Sequence, residues 1–582
     1  MVRTFFILVL LFPLSLWAQT QNTTLGSGAG ASISSGDYNV FIGDSAGTTN
    51  SSGSENVLVG EQAGFSITSG SENVVIGQDA GRTMTTASDN VFIGHRAGML
   101  NTNIDNVFIG TEAGENNTSG GDNVFIGEEA GFTNTTGTDN VFIGEDAGYF
   151  NTDGDDNTFI GNRSGISNTT GYRNVFVGNE SGSDNTTGYH NTCVGDSAGT
   201  DIGLGFANTM IGQGAGAATE HADKNTFIGY KAGWDNNRTN STSNANQNTY
   251  LGFETGYSNR EGEDNLGIGA LADFNNTTRQ ACTFIGAYAR ADANYVTIVG
   301  YASESDGQYG VSLGYFPDIT STGGIAMNYA AYSNGTSAIA IGYRCSTVAS
   351  YGIGMGYYAD IDNTNGIGIG NTATVQGDYS LAIGSNATVT GSNSVLIGYN
   401  NTLEASNEVY MGNATTTSIG GAVNWAAISD KRFKRVVQTD IPGLDFILAL
   451  EPVSYQFDLD KMQSFVGEKD LPISIRDDGQ EKESIRYSGF IAQEVERAAQ
   501  NIGYDFSGVK VPENPDDQAY GLRYAEWVVP LTQAMQELHQ MSEQQEATIE
   551  QYKAMIDDLE KRLQTLEGKS TNTDSPTLHS QK

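Results

Sequence analysis

Proline is scarce in this chain, 9 residues in 582, and cysteine scarcer still at 3. Cys193, Cys282 and Cys345 form an odd, scattered set, which excludes a disulfide framework and the paired spacing of a zinc site. The 74 glycines do not fall at every third position, which excludes collagen. Basic residues are few, 29 against 68 acidic, and the net charge of −39 argues against a nucleic-acid partner, whose phosphates need the opposite sign. Long apolar runs are missing after the first residues. Arg3, the run from Phe5 to Trp17 and the small Ala18 before Gln19 read as a signal peptide over 1–18, too short to span a bilayer. No membrane-spanning segment is expected once it is removed, and no cofactor or metal. The address read from these features is secreted, at a bacterial cell surface.

What the chain has is a counted glycine. Beginning at Gly43, one phase recurs at Gly60, Gly77, Gly94 and Gly110, and continues in steps of nearly always 17 to Gly286. From there the step is 14, through Gly300, Gly314 and Asn328 to Gly412. A period so short and strict is one solenoid coil repeated. The fold expected is mainly β: a parallel β-roll with 17-residue turns over 37–286 and 14-residue turns over 287–414, after an N-terminal segment 19–36. The residues one and three before each glycine are aliphatic or Thr, as in Val40 and Ile42 or Ile339 and Ile341, and alternation puts both on one face of a short strand. They are expected to point into the core.

The residue between them then points outward. It is mostly Phe in the long turns (Phe41, Phe92, Phe108, Phe125, Phe142) and small in the short ones (Ala326, Ala340, Gly354). An outward Phe stripe on a secreted acidic protein needs another chain to cover it, so this stripe is expected to be an intermolecular interface. Asn39, Asn56, Asn73 and their successors form a ladder whose amides bond from turn to turn. Segments such as Asn134 to Gly137 supply the outer loop. Beside the ladder runs an acidic row, Glu55, Glu72, Asp89, Asp105, Asp122, Asp139 and Asp156, read as solvated surface. The 23-residue step from Gly229 to Gly252 enlarges a loop carrying Trp234, Asn236, Asn237 and Arg238, a reasonable receptor contact.

Ser337-Ala338-Ile339-Ala340-Ile341-Gly342 and Ser380-Leu381-Ala382-Ile383-Gly384 resemble the head repeats of YadA-type trimeric autotransporter adhesins. The resemblance covers about 37–414 and implies parallel β-rolls joined as homotrimers. It also implies adhesion to a host-surface or glycan receptor.

After Gly412 the period stops. Ser429-Asp430-Lys431-Arg432-Phe433-Lys434, then Gly443 to Tyr455, Gly489 to Glu496 and Tyr524 to Leu531, resemble in order the C-terminal intramolecular chaperone of phage endosialidases and tail spikes, the peptidase S74 family. The resemblance implies an α+β chaperone over 429–530, preceded by a neck and cleavage linker over 415–428. It further implies trimer assembly followed by a single self-cleavage at Ile428–Ser429, with Ser429 as nucleophile and Lys434 as general base. A serine hydroxyl needs such a base, and an attack within one chain needs no substrate binding. Met535, Ser542, Ile549, Ile556 and Leu563, each followed three residues on by Leu538, Gln545, Tyr552, Leu559 and Leu566, form the a/d seam of a coiled coil over 531–567. His539 lies beside that seam as a surface residue, and 568–582 reads as a disordered tail. The function expected is an exported, fibre-like adhesin that assembles with itself. The alternative is a tail-fibre or spike component of a phage or injection particle, with polysaccharide as a possible ligand.

Overall fold

The computed structural model describes residues 21–238, 244–413, 415–416, 418–422, 427–465, 482–516 and 518–570. The proposed signal peptide and most of the tail lie outside the described residues. The chain divides into two units that part between Tyr410 and Met411.

The first unit is a parallel β-solenoid. One 25-stranded sheet runs through it, each strand three residues long and in register with the next, as in Val107↔Val124, Phe108↔Phe125 and Ile109↔Ile126. A second sheet of nine strands begins at Arg290–Ala291, at the turn where the glycine step shortens. The counted glycine closes each strand. At Gly127 φ is +145°, and a Cβ there would lie 2.3 Å from the carbonyl oxygen of Gly144 in the next coil. Glycine, lacking a Cβ, suits so close a stacking, and Asn328 takes the same phase at φ +99°.

The two faces of each strand are exchanged relative to the sequence expectation. The Phe row points inward: Phe41, Phe92, Phe108, Phe125, Phe142, Phe159 and Phe176 are fully buried. From Phe92 to Phe176 the rings stack at 4.7–4.9 Å with planes within 8°. The flanking Val107, Ile109, Val124 and Ile126 lie half-exposed on the outside. The reason is volume. A long coil encloses more space than a short one, and a Phe fills it while Gly114 and Gly131 leave room for the ring; a Cβ on either would come within 2.7 Å of it. In the short coils the second sheet supplies Ile319, Ile361, Val375 and Val389 to the core, and the residue opposite is mostly small, as at Ala326 and Ala340, with Ile298 and Leu396 the larger exceptions. Cys193 pairs in register with Phe176 and is buried, as a small apolar filler should be.

The asparagine ladder runs from turn to turn as expected. Asn56 Nδ2 donates to Asn39 Oδ1 at 3.1 Å and to Gly70 O at 2.9 Å, with all three amides of Asn39, Asn56 and Asn73 buried. A second buried ladder runs through the expected outer loop. Asn134, Asn151, Asn168 and Asn185 each donate to the Asn one turn before at 2.6–2.7 Å. Only the threonines that follow lie towards the outside, and the row from Glu55 to Asp156 is exposed.

One buried carboxyl sets a pH dependence. Asp273 accepts from Ser258 N at 3.1 Å and from Ser258 Oγ at 2.8 Å, and burial pushes its pKa up to about 6. The folded value exceeds the ordinary 3.8, so folding binds a proton in the window between the two. This group costs nothing below about pH 4, and its cost grows as pH rises to about 6. Asp273→Asn should therefore stabilise the coil by about 2 kcal/mol at pH 8 and hardly at all at pH 4. Hydrogen exchange of the neighbouring amides measures this; equal effects at both pH values would contradict it.

The second unit packs around Phe446, Val495, Ala499, Phe506 and Trp527. The helix Leu444–Leu448 lies against the long helix Val528–Ser570, where Glu537 Oε2 accepts from Leu444 N at 2.6 Å. Strand Val453–Tyr455 pairs antiparallel with Tyr487–Gly489, and Phe490 stacks on Trp527 at 4.5 Å. Three blocks far apart in sequence thus converge on one small core.

Candidate functional site

Ser429 and Lys434 are brought together by a single turn. The residues Lys431–Phe433 form a 3-10 helix, capped by Asp430, whose carboxylate accepts from Arg432 N at 2.8 Å. The guanidinium of Arg432 closes on the same carboxylate, with Nη2 at 2.6 Å and Nε at 3.0 Å, and this holds the Asp430 carboxyl below its usual pKa. The capping role therefore falls to Asp430 and leaves the Ser429 hydroxyl to another partner. Lys434, one turn on, donates from Nζ to Ser429 Oγ at 2.8 Å.

The pair lies open to water in the single chain. Ser429 and Lys434 are exposed, and Ile428, the residue before Ser429, is 86% exposed. A lysine acts as a base only after giving up its proton, which burial or neighbouring cations promote. Of the cations near it, Arg432 is already spent on Asp430. The geometry thus supplies contact between the hydroxyl and the amine, and any desolvation of the pair would come from outside this turn.

The other sequence candidates fall differently. Asn236 and Asn237 are buried, and Asn236 Oδ1 accepts from Asn248 and Asn259, which makes it a rung of the internal ladder. Arg238 is paired with Asp235 at 2.8 Å. Trp234 is half-buried and lies parallel to Tyr257, with Lys231 Nζ 4.7 Å above it. The tip of that loop, 239–243, lies outside the described residues. The carboxylates of Asp292, Glu304 and Asp306 lie within 4.8 Å of one another, with Arg290 3.4 Å from Asp292 and 3.6 Å from Glu304.

Comparison with known families places two matches in the expected order. Residues 362–387 and 376–401 each match the YadA head domain repeat, and residues 429–504 match Peptidase_S74, the chaperone of endosialidase. No curated protein matches the chain. No helix among the described residues is long and apolar enough to cross a membrane. Sequence reasoning missed the half-exposed aliphatic face and the outer aromatic columns described below. The signal for the first was available: the middle residue grows with the coil, as a core filler must.

Proposed function

We propose that this is an exported, homotrimeric, adhesin-like fibre protein whose C-terminal chaperone directs assembly and then cuts itself off between Ile428 and Ser429. The observation that carries the reading is that the chaperone match begins at Ser429, the serine whose Oγ lies 2.8 Å from Lys434 Nζ. In the cut, neutral Lys434 takes the hydroxyl proton and Oγ attacks the carbonyl carbon of Ile428. The C–N bond to Ser429 breaks as its nitrogen receives that proton, and water then hydrolyses the resulting ester. Assembly of three chains would supply the cover the exposed pair lacks, so that cleavage reports correct assembly. The reading divides the chain as signal 1–18, segment 19–36, β-roll 37–286 and 287–414, linker 415–428, chaperone 429–530, coiled coil 531–567 and tail 568–582.

Two apolar surfaces support the trimer. The outer aliphatic rows repeat along a 25-stranded sheet and leave a continuous half-exposed face. Such a face on one chain marks a contact with another. In the second unit, the seam residues Met535, Leu538, Ile549, Tyr552 and Ile556 are all exposed on a 43-residue helix. Ile109→Asp with Ile126→Asp should release single chains, read by light scattering. An unchanged particle mass would assign the contact elsewhere.

The second reading, a fibre or spike component of a particle assembled in the cytoplasm, draws on the chaperone match alone. The mature N-terminus separates the two: Gln19 fits export, and an intact Met1 fits the particle.

A further inference from the structure

The short coils carry an outer aromatic wall that neither the core nor the strand face uses. The residue after the counted glycine is Tyr in five consecutive coils, Tyr301, Tyr315, Tyr329, Tyr343 and Tyr357. Their rings stack at 4.8–5.4 Å with planes within 11°, so each inner ring has both faces covered and offers only its edge.

The next residue along the chain reads Tyr288, Ala302, Phe316, Ala330, Arg344, Tyr358 in successive coils. Phe316 stands at 81° to Tyr301 and 85° to Tyr315; Tyr358 stands at 62° to Tyr343 and 71° to Tyr357. Because the stacked rings have only edges free, Phe316 and Tyr358 lie with one face against those edges and the other face turned away. Tyr288, Phe316 and Tyr358 are 50%, 46% and 39% exposed. The guanidinium of Arg344, another flat group, lies over Tyr343 and Tyr358 and donates to Tyr358 Oη at 3.2 Å.

From Tyr288 to Arg344 the column alternates large, small, large, small, large, and Tyr358 follows in the next coil. Flat groups at Tyr288, Phe316 and Arg344 recur every second coil, a repeat on the order of 10 Å, with the alanines Ala302 and Ala330 between them. All of these positions have positive φ, +46° to +59°, a conformation bulky side chains seldom occupy. Bulk placed there opposes the local backbone preference and needs another reason. The electrostatics also differ from the long coils, where the same two columns carry Glu128, Glu129, Glu145 and Asp146. From Ala287 to Tyr358 these two columns hold no carboxylate and a single Arg. The wall therefore fits an uncharged partner rich in hydroxyls, with apolar faces spaced along a line.

We infer that this wall binds an extended, neutral β-(1→4)-linked polysaccharide, laid along the solenoid axis. In such a chain successive sugars are turned over, so an equivalent apolar ring face returns once per disaccharide, about two coil rises. That face stacks on Phe316 and its neighbours, while Arg344 and the Tyr hydroxyls bond the sugar hydroxyls. An α-(1→4)-linked chain curves away and meets at most one platform. The inference rests on the adhesin reading and names its ligand class.

The test uses the full chain with cellohexaose and chitohexaose as probes and maltohexaose as the α-linked control, by calorimetry. A β-linked hexamer should bind and maltohexaose should not. Tyr288→Ala with Phe316→Ala should weaken binding about tenfold or more, the loss of two aromatic platforms. Particle mass should stay unchanged. Failure of both β-linked probes to bind, equal binding of maltohexaose, or undiminished binding by the variant overturns the inference. So does a fall in the variant's particle mass, which would make the wall a chain–chain contact. Attachment of the wild-type protein to cells is scored separately: attachment without hexasaccharide binding sinks the glycan and spares the adhesin reading, and absence of attachment sinks the adhesin reading itself.

Discussion

Ser429→Ala should leave a single full-length band on a denaturing gel, where the wild type is expected to give two fragments. Chemistry and reach both lead to this outcome. Ser429 Oγ lies beside the carbonyl of the preceding residue by covalent geometry, and Lys434 Nζ sits 2.8 Å from it. Removing the hydroxyl removes the nucleophile, so the expected effect is complete loss and not a slower cut. Lys434→Ala removes the base and leaves the nucleophile, so slow residual cleavage that rises with pH is expected. Lys434→Arg should behave like Lys434→Ala, because a guanidinium does not give up its proton. A cut before residue 429 in Ser429→Ala would refute the mechanism. All three variants should still hold three chains per particle, since in the proposed order assembly precedes the cut.

The second large effect lies in the solenoid. Phe125→Ala should destabilise its coil and both neighbours by about 3–5 kcal/mol. The ring is fully buried and stacks on Phe108 at 4.7 Å and on Phe142 at 4.8 Å, so truncation leaves a void that two rings border. A repeat array opens locally, so a single melting temperature blurs the loss. Hydrogen exchange resolves it. Amides of Val107–Ile109, Val124–Ile126 and Val141–Ile143 should exchange on the order of a hundredfold faster or more. Distant coils, such as that of Ile367–Ile369, should be unaffected. Unchanged exchange with a loss of particle mass would return the Phe row to the outside.

These two sites differ in how much of them the sequence discloses. The glycine phase is a backbone requirement, since Gly127 sits at φ +145° against the next coil, so counting it locates every strand. The shortening of the step likewise marks where the second sheet begins, at Arg290. Alternation tells which residues share a face and says nothing about which face is inside. For that, two signals matter together. The middle residue is mostly Phe where coils are long and mostly small where they are short, and from Phe92 to Phe176 a second glycine, such as Gly114 or Gly131, stands four residues after the first, under the ring. The inner asparagine ladder escapes notice because Asn-Thr-Thr-Gly is also turn chemistry, and Asn134 is spent on Asn117 and Gly137 inside the coil. At the cleavage turn, the spacing from Ser429 to Lys434 suggests the contact. In the proposed trimer its cover would come from the other chains, which the pattern of one chain does not spell out.

Native mass spectrometry of the purified wild-type chain tests the central claim most directly, because one spectrum reads both assembly and processing. The account predicts particles of three chains, each ending at Ile428, together with a released fragment beginning at Ser429. Single chains cut at that bond, or three-chain particles that stay full length, would contradict it.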